Sequence, residues 1–388
     1  MKIALVCPDG LSILLFCKGI IRSLKSIKGA EIFILSADGI YKKNIEELGV
    51  KSVSVDIYRF ANPIKDFKYM LTLYRIFKNE KLDLVINFST KPNIYGTFAA
   101  YMANINKIVS HVVGLGATFL PSHNVKGKLI RYVFLKLYRV SCRLSDKVWF
   151  TNKNDLSYFI SERMVTQEKS VLTKNYLDTD EYTPLLFSNE ELSALRKELG
   201  ILENDKVVVM VARMIWPKGI KEFAEAAEFL KDAYPNLKFL LVAPPEDGSD
   251  YSVPESYIKE KEKTANLKWL GFRSDVKRIY ALSDLAVLPS YYKEGGYPRA
   301  LLEPMAMGKP VITTDTPDCR GAVEEGKNGF LVPVKDAKAL AKAIENLILD
   351  EDMLIKFGEY SRAKAEREFD EKKIVPQALL QLGIPLPY

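Results

Sequence analysis

Histidine is nearly missing from this 388-residue chain: there are two, His111 and His123. A zinc site built from several imidazoles is excluded by that count, so any metal would need carboxylates. Cysteine is scarce as well. Cys7, Cys17, Cys142 and Cys319 show no C-x-x-C spacing and lie in apolar or mixed segments, which reads as buried reduced thiols and excludes a disulfide framework. Long apolar runs are lacking too. LSILLFC around Leu15 and YVFLKLY around Phe134 fall well short of the roughly 18 to 20 residues that a membrane span requires. The opening MKIALVCPDG passes directly into a strand-like run and a turn, without the apolar core and small-residue cleavage site of a secretion signal. The expected location is the cytoplasm.

What is present is an ordinary globular composition, with 27% charged and 48% hydrophobic residues and no low-complexity block, which excludes disordered and fibrous classes. The length corresponds to two or three domains, each large enough for its own core. The net charge of +7 is unevenly spread: residues 1–180 hold 27 Lys and Arg against 15 Asp and Glu, and the remainder 29 against 34. A basic half attracts nucleic acid, an anionic membrane or a phosphorylated substrate. Seven of its cations fall between Lys126 and Lys147, where Lys136, Arg139 and Arg143 share one helical face and Tyr132, Val133, Leu137 and Val140 another. Such a helix either packs its apolar stripe on a sheet or docks on an anionic bilayer.

Strand-like and helical runs alternate along almost the whole chain. KIALVC, EIFILSA, KSVSVDI, DLVINF, KIVSHVV and KVWFTN lead up to Asn152, and after NYLDTDEYTPLLFSN (residues 175–189) come KVVVMVAR, LKFLLVA, NLKWLG, DLAVLPS, PVITTD and GFLVP. Strands without polar alternation are buried on both faces, so each half is a parallel, doubly wound α/β unit. The expected domains are 1–175 and 190–365. A C-terminal helix and tail, 366–388, is expected to return to the first domain, and residues 335–367 read as two helices, the later of which is also expected to pack back on that domain. Ligands of open α/β sheets bind beyond the carboxyl ends of strands, which puts function in the loops there and, for two facing domains, in a cleft.

Those loops contain few residues able to do chemistry. In the first half they are PDGLS at 8–12, STKPN at 89–93 and GLGATF at 114–119. The last departs from the dinucleotide fingerprint, because Phe119 stands at its third position and Lys136 where an acidic residue belongs. Gly114 and Gly116 either make a tight turn or let backbone amides approach an anion. In the second half they are RMIWPKG at 213–219, GFRSD at 271–275 and SYYKEGGYPRALLE at 290–303; Arg213 ends a strand, and Lys218 follows Pro217 at a helix start. The pair forms ordinary ion pairs or clamps a diphosphate leaving group. Glu294 and Glu303 bracket two glycines. Glu303 is expected in the first turn of a helix beginning at Pro298, where it either complements the helix dipole or accepts bonds from sugar hydroxyls.

VARMIWPKG, EGGYPRALLEPMAMGKPVITTD and GKNGFLVPVKD, spanning Val211 to Asp336, together resemble the donor domain of retaining glycosyltransferases of family 4. KPNIYG and VVGLGATF in the first half resemble the bacterial subgroup that extends saccharides on polyprenyl-diphosphate carriers. The resemblance implies a GT-B fold, two Rossmann-like domains facing across a cleft. It implies transfer of an N-acetylhexosamine or hexose, with retention and without a metal or other cofactor, from a UDP-sugar to a lipid-linked saccharide.

The roles it carries over are specific. Residues matching Arg213 and Lys218 hold the diphosphate, Glu303 the ribose, and Glu294 the transferred sugar. Amides around Gly295, Gly296, Tyr297, Leu301 and Leu302 complete the phosphate site, Phe272 and Arg273 lie by the base, and Gly10 adjoins the donor. Ser12, Lys91, His111, Gly114 and Gly116 are the acceptor-side candidates, with His111 either orienting the acceptor or buried in the core. The implied partners are the donor, the acceptor and an anionic membrane surface, without nucleic acid, and the implied location is peripheral on the inner face of the cytoplasmic membrane. Two departures stand out: the glutamates are nine apart where the family has eight, and DCRG at 318–321 replaces the usual G-C-R-E. A UDP-sugar 2-epimerase of the same fold would need acid/base residues in the cleft, and a two-lobed sugar-binding protein would need no cationic clamp.

Overall fold

A computed structural model describes residues 1–37, 39, 41–58, 61–114, 125–246 and 249–387. The chain folds as two compact units, one of Met1–Asn175 with Glu371–Tyr388 and one of Tyr176–Asp370. The first unit's strands are β1 (Lys2–Asp9), β2 (Glu31–Ala37), β3 (Lys51–Ser54), β4 (Leu84–Phe88), β5 (Lys107–Val112), β6 (Lys147–Phe150) and β7 (Ser170–Leu172), in the order β3-β2-β1-β4-β5-β6-β7. The second unit's are β8 (Lys206–Val211), β9 (Leu237–Val242), β10 (Leu267–Trp269), β11 (Leu285–Leu288), β12 (Val311–Thr314) and β13 (Gly329–Val332), in the order β10-β9-β8-β11-β12-β13. Pairing is parallel throughout these strands. Both sheets are doubly wound, and the strand order reverses between β1 and β4 and between β8 and β11, the points where such sheets bind ligands.

The apolar strand runs are sheet interiors: β4 and β11 are buried along their whole length. Helices cover them with the expected 3.6-residue rhythm. In Pro63–Glu80, for example, Tyr69, Leu73 and Phe77 share one face and pack with Ala4 and Val85 of the sheet. Burying each such side chain contributes about 1.5 to 3 kcal/mol. The short strand β7 carries no pattern in the sequence, because three residues are too few for periodicity.

Two expectations are corrected. The helices Ala337–Ile348 and Glu351–Glu368 both belong to the second unit, and it is the next helix, Glu371–Gln381, that joins the first. There Glu371 pairs with Arg22 at 3.0 Å and lies where a Cβ on Gly19 would fall, 2.6 Å away. The basic helix spans Val125–Leu144, but the face it buries is Phe134, Tyr138, Ser141 and Cys142. Tyr138 meets the Phe159 ring edge-on at 5.2 Å. Of the stripe that could either pack or dock on a bilayer, Tyr132, Val133 and Val140 are exposed and Leu137 is half-buried against the core. The larger rings fill the space against the sheet, which a helical wheel does not show.

Candidate functional site

The second unit's site grows from the loops after β8 and β11. Past Val211 the chain buries Met214 and Ile215, turns through the short 3-10 helix Trp216–Lys218 with Pro217 in its first turn, and enters the helix Ile220–Leu230. Gly219 joins them at φ +83°, with its Cβ position 2.2 Å from the Pro289 carbonyl oxygen. Only glycine lets these two loops approach so closely. The approach brings the Lys218 ammonium onto the Glu294 carboxylate, with side chains 12% and 5% exposed. Ser290 donates its hydroxyl to the other carboxylate oxygen at 2.5 Å, and the Glu294 amide donates to Asp318 Oδ2 at 3.0 Å. Arg213 lies 3.6 Å from Glu246, and the Tyr292 ring has Arg213 and Lys218 each 5.3 Å from its centroid. Two cations thus face one ring beside a buried carboxylate at the strand-order reversal, an arrangement able to receive a dianion.

The nine-residue glutamate spacing is absorbed by two successive glycines in backbone conformations that disfavour side chains, Gly295 at φ +73° and Gly296 at φ +115°. Tyr297 then packs over Gly321, where a Cβ would lie 2.3 Å from the ring. The helix begins at Arg299, so Glu303 sits in its second turn and no acidic residue occupies the first. This corrects the dipole reading. Instead Glu303 Oε1 accepts from Arg299 Nε at 3.0 Å and from the Tyr182 hydroxyl at 3.1 Å. Burial opposes the Arg299 charge, but Glu303 and Tyr182 more than offset it and its pKa rises. Leu301 and Leu302 are wholly buried, and their amides donate to the Pro298 carbonyl. Arg273 grips both Asp275 oxygens at 2.8 and 2.7 Å and Glu198 at 2.8 Å, whereas the Phe272 ring is 61% exposed.

In the first unit Gly10 opens the helix after β1, buried where a Cβ would lie 3.0 Å from Tyr41 Cβ. Asp9 caps that helix, accepting from the Ser12 amide at 2.8 Å and its hydroxyl at 3.1 Å. The KPNIYG segment is an internal fastening. Lys91 reaches Asp66 at 2.5 Å and the Tyr58 carbonyl at 2.6 Å, and Asn93 donates to the His111 carbonyl at 2.9 Å and the Tyr138 hydroxyl at 2.7 Å. A Cβ on Gly96 would strike Asn87 Oδ1 at 2.2 Å. His111 is 1% exposed, stacked 3.9 Å from Trp149 and edge-on to Phe88, with neither ring nitrogen bonded among the described residues. Burial pushes its pKa down to about 3, so the ring is neutral. Gly114 stands at φ +135°, and Gly116 lies outside the described residues.

Sequence reading therefore missed Ser290, Tyr292, Asp318, Arg299 and Tyr182. All lie in segments it singled out, but only the folded loops show which side chains turn toward the glutamates. Among the described residues no cluster of three His, Cys, Asp or Glu is placed to hold a metal ion, and no helix is long and apolar enough to cross a membrane.

Residues 193–364 match the family Glycosyl transferases group 1, and residues 2–152 match Glycosyl transferase 4-like. The chain is 30% identical over 383 residues, 98% of each sequence, to an N,N'-diacetylbacillosaminyl-diphospho-undecaprenol alpha-1,3-N-acetylgalactosaminyltransferase of Campylobacter jejuni. It is 28% identical over 315 residues, 80% of this chain and 78% of the relative, to a UDP-Gal:alpha-D-GlcNAc-diphosphoundecaprenol alpha-1,3-galactosyltransferase of Escherichia coli. Among solved structures, Anabaena HepE in complex with UDP and glucose shares the fold at 22% identity and TM-score 0.77, with 99% of both chains covered.

Proposed function

The chain belongs to the group 1 glycosyl transferases, and from that premise we propose that it transfers an N-acetylhexosamine or hexose from a UDP-sugar to a polyprenyl-diphosphate-linked saccharide, with retention and without a metal or other cofactor. The observation that carries this reading is the convergence of Lys218 and Arg213 on the Tyr292 ring, with Lys218 also on the Glu294 carboxylate, at the β8/β11 reversal. The relatives from Campylobacter jejuni and Escherichia coli, whose names specify diphospho-undecaprenol-linked acceptors and in one case UDP-galactose, support the substrate classes.

In the proposed reaction the bond from the anomeric carbon to the β-phosphate oxygen breaks, and an acceptor hydroxyl oxygen bonds to that carbon on the same face. The hydroxyl proton passes to the departing phosphate. Negative charge grows on the diphosphate as it leaves. Lys218 and Arg213 stabilise it, the one as a compact point charge and the other as a planar fork. Glu294, its free motion removed by Ser290 and the Asp318-bonded amide, contacts a hydroxyl of the transferred sugar, and Glu303 receives the ribose hydroxyls. Leu301 and Leu302 serve by seating the helix that carries Glu303.

The lipid-linked acceptor places the reaction at a membrane. The helix Val125–Leu144 exposes Leu129, Tyr132, Val133 and Val140 among Lys128, Lys136 and Arg143, and a mixed apolar and cationic face of this kind adsorbs on anionic lipid.

The test is an assay of the full chain with a panel of UDP-sugars and a polyprenyl-diphosphate-linked saccharide, the product's anomeric configuration being read by NMR, with and without EDTA. A product of inverted configuration, dependence on a divalent ion, or release of free sugar without an acceptor would each overturn the corresponding part.

A further inference from the structure

Arg299 stands where helix physics does not favour it. It is the first residue of Arg299–Ala306, and a cation at that end opposes the helix dipole. A cation one turn before a glutamate is also the weaker orientation of an i,i+4 pair. Its side chain is nevertheless only 15% exposed. What the position provides is reach: Nε to Glu303 Oε1 at 3.0 Å, one terminal nitrogen to the Tyr176 carbonyl at 3.1 Å, and the other to the Tyr182 hydroxyl at 3.4 Å. Tyr182 completes the set by donating to the same Glu303 oxygen at 3.1 Å. It belongs to a segment without regular structure that Arg362 fastens by bonds to the carbonyls of Thr179, at 2.9 Å, and Tyr182, at 2.6 Å. A buried guanidinium at an unfavourable helix end, meeting a hydroxyl from a separately anchored segment on a single carboxylate oxygen, is an orienting device.

We propose that Arg299 and Tyr182 are positioning residues that hold Glu303 in the orientation from which it binds the donor's ribose. The inference rests on the ribose role of Glu303 in the proposed function. By occupying Oε1 they fix the carboxylate plane, leaving the ribose hydroxyls a preset acceptor. Neither residue needs to touch the nucleotide.

The experiment titrates the full chain calorimetrically with UDP and, separately, with inorganic diphosphate, which has no ribose. Arg299→Met should weaken UDP roughly tenfold and Tyr182→Phe about threefold, both without changing inorganic diphosphate binding. Arg299→Lys should recover part of the loss, and in a Glu303→Gln background Arg299→Met should weaken UDP no further, as residues acting through one group are not additive. Equal losses for both probes would mean that the pair merely supports the fold, and would overturn the proposal. Unchanged UDP binding in Arg299→Met and Tyr182→Phe would overturn it as well. If Glu303→Gln alone leaves UDP binding unchanged, the ribose assignment itself fails and the proposal with it; a weakened Glu303→Gln beside an unaffected Tyr182→Phe and Arg299→Met removes the proposal only. Should Arg299→Met not fold, the isosteric Tyr182→Phe decides the matter.

Discussion

The Lys218 ammonium rests directly on the Glu294 carboxylate, across 76 residues of sequence, and both side chains are largely shielded from water. Neither charge is easily left alone in such a place, because an unpaired buried charge costs far more than the pair gains. In the proposed reaction the two have separate tasks, and the pairing keeps the site electrically balanced before a donor arrives.

Lys218→Ala should therefore lower kcat/KM at least about a hundredfold, equivalent to about 2.7 kcal/mol of transition-state stabilisation. It should also lower Tm, because Glu294 loses its counter-charge. Adding Glu294→Gln should restore Tm but not activity. A folded Lys218→Ala enzyme with full activity would remove the diphosphate role.

Gly219→Ala tests the loop contact that makes the site. The added carbon would lie 2.2 Å from a backbone oxygen, at φ +83°, and backbone cannot yield as a flexible side chain does. A loss of about 2 to 4 kcal/mol is expected in chemical denaturation, together with a fall in activity. A variant as stable as the parent contradicts the close approach.

His111 sets a pH dependence of stability. Folded, it stays neutral down to about pH 3, whereas unfolded it takes up a proton near pH 6.5. Between those values the unfolded chain binds the extra proton, so stability falls on acidification by about 1.4 kcal/mol per pH unit from this group. His111→Phe, which keeps the stack on Trp149, should flatten the difference between pH 6.5 and pH 4.5 in parallel denaturation series. Identical slopes for both proteins would show that the ring is protonated in the fold.

Membrane adsorption is tested on the exposed face of Val125–Leu144. Arg139 is a poor choice of mutation because it bonds the Glu162 carbonyl at 2.9 Å. Lys128→Glu, Lys136→Glu, Arg143→Glu is the appropriate variant, each cation contributing on the order of 1 kcal/mol near an anionic surface. At low salt the parent should float with phosphatidylserine vesicles and the variant should sediment. If both sediment, the face is only solvated.

By itself the sequence determined the class of fold and where in the chain to look for chemistry. Apolar runs such as VVVM and LAVL, without polar alternation, can only be interior strands of a parallel sheet, because alternation is how a half-exposed strand declares its wet face. Strand-end loops holding Arg213, Lys218, Glu294 and Glu303 were visible for the same reason, since charges and glycines interrupt an otherwise apolar rhythm. Tertiary structure alone decided what periodicity does not encode. Strand order places β8 beside β11 and so brings Lys218 to Glu294. The size of Phe134 and Tyr138, more than the polarity pattern of their helix, chose its buried face. Lys91, an acceptor-side candidate in the sequence, is the partner of Asp66, and Arg299, which no local pattern singled out, is the support of Glu303. Each of these depends on which distant backbone arrives alongside, and a contact across dozens of residues leaves no mark in the local pattern of either partner.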